Sequence, residues 1–160
     1  MASDATARYG GRATRLDTIH LTLAFIGDVP EASLPLLRAI ADTIEAPPFA
    51  LSIDRLGFWS HNHLLWAGCG DIPAGLAALV GELQQRLGAA GFRVDRAERR
   101  FTAHITLVRK ISATRAPGSN NPLPKINPLP WPCSRWVLVR SHLTEAGSSY
   151  QVIAEFPLNG

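Results

Sequence analysis

Cysteine is scarce in this chain, and the two present, Cys69 and Cys133, lie far apart without a metal-type or redox-type spacing. Both are read as reduced packing residues rather than ligands or nucleophiles. Long apolar runs are missing as well. The first fifteen residues are polar and small, with no segment that could act as a signal peptide or membrane anchor, so a soluble, cytoplasmic protein is expected. Neither sign of charge dominates: 16 basic against 13 acidic side chains give a net charge of +3. That excess favours an anionic ligand without by itself indicating nucleic acid. What the chain does have is apolar material, 46% of 160 residues, enough for one compact domain or two small lobes sharing a core.

The stretch that stands out is Phe101 to Lys110, FTAHITLVRK, because its HITL block repeats the HLTL of His20 to Leu23. Each block reads as a strand. Leu21, Leu23 and Phe25, and likewise Phe101, Ile105 and Leu107, are apolar at period two. Residues i and i+2 of a strand share a face, so His20 projects with Thr22 and His104 with Thr106, while the apolar partners enter a core. A single His-x-Thr is a common coincidence. Two in phase, each continuing into apolar sequence, call for a joint functional explanation.

Between the blocks the chain alternates helix and strand signals. Residues 1–17 read as a frayed helical end and a loop, and Gly27 to Pro30 as a turn. Leu34, Leu37, Ile40, Ala41 and Ile44 predict an amphipathic helix over Glu31 to Glu45, stopped by Pro47-Pro48. Phe49 to Phe58 reads as a strand, joined through Trp59 to His63 to a second over Leu64 to Ala67. A helix from Pro73 to about Leu87 carries Leu76, Leu79, Val80, Leu83 and Leu87 on one side. A basic segment follows, with Arg93, Arg96, Arg99 and Arg100; beyond the second His strand, 112–132 is rich in Pro, Asn, Ser and Gly and reads as a long loop bordering the site. Trp136 to Arg140 and Tyr150 to Phe156 close the chain as two strands around a turn at Glu145 to Ser149.

The two histidines are 84 residues apart, and the same shift maps Leu51 to Ile53 onto Arg135 to Val137 and the Leu64 strand onto Ser148 to Val152. Each half supplies a His strand followed by a hairpin, which is the pattern of two pseudo-symmetric lobes. The shift leaves the first lobe without a leading strand and most of a helix. Either the native start lies upstream of Met1 or the lobe is truncated with an open sheet edge, and an open edge invites a homodimer.

Imidazole gives and takes protons near neutral pH. Two imidazoles flanking a substrate serve as general base and general acid in one displacement, and neighbouring hydroxyls hold developing anionic oxygens. That set suits in-line attack on a phosphodiester with no metal or cofactor.

IHLTLAFIGDV and FTAHITLVRK resemble the two signature motifs of the two-histidine (2H) phosphoesterases, specifically the LigT-like RNA 2',3'-cyclic phosphodiesterases, also called 2'-5' RNA ligases. The likeness runs from about residue 10 to 158, through LGFW, LLWAG, PLPW and LVRSHL. It implies a bilobal α+β fold of two antiparallel sheets around a central cleft, and opening of RNA 2',3'-cyclic phosphate ends to 2'-phosphates. It further implies His104 as base, His20 as acid, Thr22 and Thr106 on the nonbridging oxygens, and Arg109 on phosphate or RNA. Ala103 stands where the family often has Pro.

Other residues weigh less. His61 and His63 read as turn residues without a third metal ligand, and His142 as structural. Phe25 and Trp66 are expected in the core. Phe58 and Trp131 are candidates for stacking on a base, as single-stranded RNA ends are often held. The basic run from Arg93 to Arg115 is a solvated face or an RNA-tracking patch. Two readings compete with RNA-end hydrolysis: turnover of a small cyclic nucleotide or ADP-ribose cyclic phosphate, and a noncatalytic nucleotide- or RNA-binding module.

Overall fold

The computed structural model describes residues 1–94, 101–144 and 147–159. Its elements, in chain order, are α1 (Ala2–Tyr9), β1 (Arg12–Ala13), α2 (Leu34–Asp42), β2 (Phe49–Ile53), β3 (Arg55–Trp59), β4 (Leu64–Gly68), α3 (Ala74–Ala89), β5 (His104–Arg109), β6 (Leu129–Cys133), β7 (Arg135–Thr144) and β8 (Gly147–Pro157). The α+β class is as expected, and among the described residues no helix is long and apolar enough to cross a membrane. Asp95 to Arg100, which hold three arginines of the basic run, lie outside the described residues, as do Glu145 and Ala146 of the last turn.

The chain divides into two compact units that interleave in sequence. Met1–Leu21, Ser52–Asp71 and Thr102–Trp131 make the first, and the intervening segments make the second. The 84-residue repeat therefore does not cut the chain into an N-terminal and a C-terminal lobe. Both histidines belong to the first unit.

The first unit is built on an antiparallel sheet of order β1-β5-β4-β3. The expected strand from Phe49 to Phe58 is two strands, broken at Asp54. There the backbone N–H donates to the Gly68 carbonyl at 3.0 Å, and the carboxylate accepts from the Gly70 N–H at 2.9 Å. On one face of the sheet, Ile53, Leu65, Ala67, Ile105, Leu107, Val108 and Ile111 form the core with Ala5 and Tyr9 of α1. Ala5 and Tyr9 are four apart and so lie on one side of their helix.

Residues 1–17 are thus more ordered than a frayed end and a loop. Tyr9 is 1% exposed, and its hydroxyl donates to the Pro122 carbonyl at 2.8 Å. Arg115 Nη2 donates to the carbonyls of Ala7 at 3.0 Å and Arg8 at 3.2 Å, satisfying acceptors that a helix C-terminus leaves without intrahelical partners. Arg8 Nε in turn donates to Asn121 Oδ1 at 3.0 Å. The stretch 112–132 is accordingly pinned against α1, packs Leu123 and Ile126 onto the core, and ends in β6, which pairs with β2. A Pro-rich composition concealed this order because the anchoring bonds come from α1, more than a hundred residues earlier.

The second unit packs α2, α3 and the β7–β8 hairpin around Leu37, Ile44, Leu79, Leu83, Leu87 and Leu158. Both helices fall where their periodicity predicts, α3 following Pro73 directly. Across the hairpin Trp136 faces Phe156, with rings stacked at 4.5 Å between centroids, a pairing that adds to the gain from burial. A register shift leaves Ile153 as an extra residue in β8, and its carbonyl accepts from Arg38 Nη2 at 2.7 Å.

Two substitutions test this packing. Tyr9→Phe removes the bond that holds Pro122 and is expected to cost about 1 kcal/mol, whereas Tyr9→Ala also opens a cavity and should cost about 3–5 kcal/mol. Urea unfolding of both variants measures the difference: no loss in Tyr9→Phe would show that the hydroxyl contributes nothing, and equal losses that burial of the ring adds nothing. In the β3–β4 hairpin Gly57 pairs with Trp66, and a Cβ on Gly57 would stand 2.0 Å from Trp66 Cζ2. Gly57→Ala must displace that indole, with an expected loss of about 1–3 kcal/mol in the same assay.

Candidate active site

β5 sets the site. It pairs with β4 as Gly68↔His104, Ala67↔Ile105 and Trp66↔Thr106. Ile105 and Leu107 face the core, so alternation turns His104 and Thr106 to the opposite face. Gly68 and Trp66 of β4 share that second face, and on β3 so do Gly57 and Trp59. Without a Cβ, Gly57 lets the Trp66 ring lie across β3. Trp59 then meets Trp66 at 5.4 Å and stands edge-on to the His104 ring at 4.6 Å, with Trp66 itself 6.2 Å from His104.

Phe58, expected to stack on a base, occupies the other face with Leu56 and packs against the core. The aromatic on the histidine face is its neighbour Trp59. The signal for that was available: Trp59 is two residues from Gly57, the partner of Trp66, and so has the parity of the His face. Trp131 lies in β6 rather than in a loop and packs against the same core. Phe25, expected inside, is 58% exposed, and Trp66, also expected in the core, is half-buried beside His104.

His20 arrives differently. The expected strand over the first His-x-Thr block is reduced to a single antiparallel bridge, Leu21↔Ile105. In that register only His104 remains of β5 beyond the partner of Leu21, so the ladder has almost no strand left along which to continue. The bridge is nevertheless enough to orient the histidine. Opposed residues of an antiparallel pair share a face, and their neighbours take the other. His20 therefore lies opposite Thr106, on the His104 side of the strand. Thr22 has the parity of His20 and is the first residue of the second unit.

The segment leading to His20 runs along the outer edge of β5 through Arg12↔Arg109, Ala13↔Val108 and the Thr14 N–H to the Leu107 carbonyl at 2.8 Å. A 3-10 turn at Leu16–Thr18 then brings the chain back at Leu21. Among the described residues, the edge expected to be open beside the first His block is occupied along β5 by residues 12–14 and Leu21. That block is no sheet strand, and the β5 edge next to it is covered by the chain's own residues 12–21, which leaves a homodimer through such an edge without support.

Both imidazoles are held in the same way. His20 Nδ1 lies 2.8 Å from the Thr18 carbonyl, and His104 Nδ1 lies 2.8 Å from the Thr102 carbonyl. A carbonyl oxygen only accepts, so Nδ1 is the donor in each ring, and the neutral tautomer keeps its lone pair on Nε2. On both rings Nε2 is therefore the nitrogen with the lone pair that can take up a proton. Thr18 and Thr102 escaped the sequence reading, although the repeat extends to them as Thr-x-His-x-Thr with the same 84-residue spacing.

Arg109 is five residues past His104, and strict alternation would turn it toward the core. The ladder shifts between Leu65↔Val108 and Trp66↔Thr106, leaving Leu107 as an extra residue, so Leu107 and Val108 are both buried and Arg109 is exposed on the histidine side. Gly11, at φ +81°, allows the approach of β1, since a Cβ there would come within 2.6 Å of the Arg109 carbonyl.

Elsewhere, His61 and His63 are exposed turn residues, His63 in the left-handed region at φ 53°, and no group of three metal-ligating side chains occurs among the described residues. His142 lies in β7, its Nε2 3.5 Å from Gln151 Oε1. Burial pushes the thiols of Cys69 and Cys133 above their ordinary range, which makes poor nucleophiles of both.

Known proteins share this fold and its sequence pattern. The sequence profile of the 2'-5' RNA ligase superfamily matches residues 2–145. The RNA 2',3'-cyclic phosphodiesterase of Escherichia coli (strain K12) is 35% identical over 102 residues, covering 64% of this chain and 57% of that protein. The protein of the same name from Thermus thermophilus is 32% identical over 152 residues, covering 89% and 73%. The chain thus spans little more than half the length of the E. coli relative. Among solved structures, E. coli LigT complexed with 3'-AMP matches with a TM-score of 0.81 at 25% identity, over 99% of this chain and 88% of that one. A T. thermophilus structure matches at 0.76 and 27%, over 99% and 90%. With a profile match over most of its length and both His-x-Thr blocks intact, the chain belongs to the 2'-5' RNA ligase superfamily.

Proposed function

We propose that the protein is an RNA 2',3'-cyclic phosphodiesterase that opens cyclic phosphate ends to 2'-phosphates by general acid–base catalysis between two histidines. The observation that carries this reading is the shared support of the two rings, each with Nδ1 on the carbonyl two residues upstream at 2.8 Å and the lone pair on Nε2. The names of the relatives agree with it: the curated E. coli and T. thermophilus proteins are RNA 2',3'-cyclic phosphodiesterases.

In this mechanism neutral His104 takes a proton from water through Nε2 as the water oxygen attacks phosphorus. The P–O3' bond breaks, and protonated His20 donates its Nε2 proton to O3', leaving a 3'-hydroxyl and a 2'-phosphate. Solvent exchange then restores both rings. The hydroxyls of Thr22 and Thr106 donate to the nonbridging oxygens as their charge grows. Both proton transfers are provided by side chains, so the reaction needs no metal. An RNA 5'-hydroxyl replacing water would give a 2'-5' linkage by the same steps. Arg109 contacts the RNA phosphates, and Trp59, beside His104, takes the base-stacking role first given to Phe58 and Trp131.

The test is hydrolysis of an oligonucleotide ending in a 2',3'-cyclic phosphate, in EDTA, with the product isomer resolved. Wild type is expected to yield the 2'-phosphate, and His20→Ala and His104→Ala each to lose about 100- to 10,000-fold in kcat. Retained turnover in either variant, or a 3'-phosphate product, would overturn the mechanism. Efficient turnover of small cyclic phosphates alone would move the assignment to the small-substrate enzyme, and tight binding without turnover to a binding module.

A further inference from the structure

A single hydrogen bond does not fix an imidazole. The Thr102 carbonyl accepts from His104 Nδ1 at 2.8 Å, which selects the protonated nitrogen and leaves the tilt of the ring open. The χ2 torsion of histidine is broad and roughly twofold. A ring turned over about that torsion loses the bond to Thr102 and presents Cε1 where Nε2 stood, and a carbon there takes up no proton. A smaller rocking about the anchored nitrogen also carries Nε2 away from a substrate atom.

Trp59 supplies the second contact. Its ring lies 4.6 Å from that of His104 with the planes at 74°, an edge-on arrangement that aromatic pairs favour. Trp59 closes β3 and pairs with Leu64, whereas the row of the sheet that holds His104 runs through Gly68 to Arg55. The indole thus reaches His104 diagonally across the sheet, and it is braced on the way. Trp66 stands 5.4 Å from Trp59 and 6.2 Å from His104, and the His61 ring lies 6.3 Å from Trp59 at the turn. Trp66 takes this place because two of its neighbours are glycines. A Cβ on Gly57 would come within 2.0 Å of Trp66 Cζ2, and one on Gly68, the direct partner of His104, within 3.0 Å of Trp66 Cζ3. Gly57, Trp66, Trp59 and His104 form one line of contacts that begins at the backbone of β3.

Resting on the acid–base function proposed above, we infer that Trp59 is a positioning residue for His104. It holds the imidazole in the flip and tilt that direct Nε2 at the attacking water, while Trp66 and the bare backbone of Gly57 keep Trp59 in place. This role is separate from any contact with a base, because it acts on the rate of the chemical step. Misplacing a catalytic group by about 1 Å costs on the order of 100-fold in rate.

The experiment measures kcat and KM on an oligonucleotide ending in a 2',3'-cyclic phosphate for wild type, Trp59→Phe and Trp59→Leu, with thermal melting to verify folding. Trp59→Leu is expected to lose about 10- to 100-fold in kcat, and Trp59→Phe, which keeps a flat ring, to retain most of it. An unchanged kcat in folded Trp59→Leu, or a change in KM alone, would overturn the positioning role and leave Trp59 as a binding contact. Should Trp59→Leu not fold, Gly57→Ala decides, since it reaches Trp59 only by displacing Trp66: lower kcat at unchanged KM upholds the role, and unchanged kcat overturns it. If folded wild type turns over no cyclic phosphate end, the catalytic proposal fails, and nitrogen NMR of the His104 ring tests the positioning by itself. Wild type then shows a protonated Nδ1 and a bare Nε2. Signals that converge in Trp59→Leu uphold the role, and identical spectra overturn it.

Discussion

The ladder between β4 and β5 is the constraint on which the candidate site depends. Its register puts Gly68 and Trp66 against His104 and Thr106, and its one irregularity at Leu107 reverses the parity of everything after it. Before the bulge, alternate residues of β5 give a core face and a face that bears His104 and Thr106. After it Val108 is buried and Arg109 is exposed on the histidine side. One extra residue thus lets a six-residue strand place Ile105, Leu107 and Val108 inside and His104, Thr106 and Arg109 outside. Bulges commonly re-aim side chains in this way beside functional sites.

The two imidazoles are alike in their support and unlike in their surroundings. Each is oriented by a backbone carbonyl two residues upstream, a partner that no side-chain substitution removes and that fixes the tautomer. His104 is in addition packed edge-on by Trp59, with Trp66 behind, a cluster that exists because Gly57 leaves room for the indole. His20 is exposed and owes its place to a single bridge at Leu21 and to the covering of the β5 edge by residues 12–21.

Much of the frame of the first unit depends on contacts far apart in sequence. Tyr9 reaches Pro122, Arg8 reaches Asn121, and Arg115 returns to the last carbonyls of α1. These bonds turn a short N-terminal helix and a Pro-rich stretch, each weak alone, into mutual supports. Neither was legible from its own window. An eight-residue helix is marginal without tertiary packing, and a loop's composition says nothing about the donors another segment will bring.

The sequence alone determined the residue types and the local patterns: both His-x-Thr blocks, the helices around Leu37 and Leu79, and the β5 alternation, because period-two and period-3.6 burial leave a direct imprint on residue order. Tertiary structure decided what depends on a partner. It reduced the His20 block to one bridge, since β5 ends before a ladder can extend. It sent Phe58 to the core and Trp59 to the histidines, since the pairing of β3 with β4 fixes which parity faces the site. It set Arg109 beside Arg12, since a bulge is a mismatch between two strands and no single strand records it.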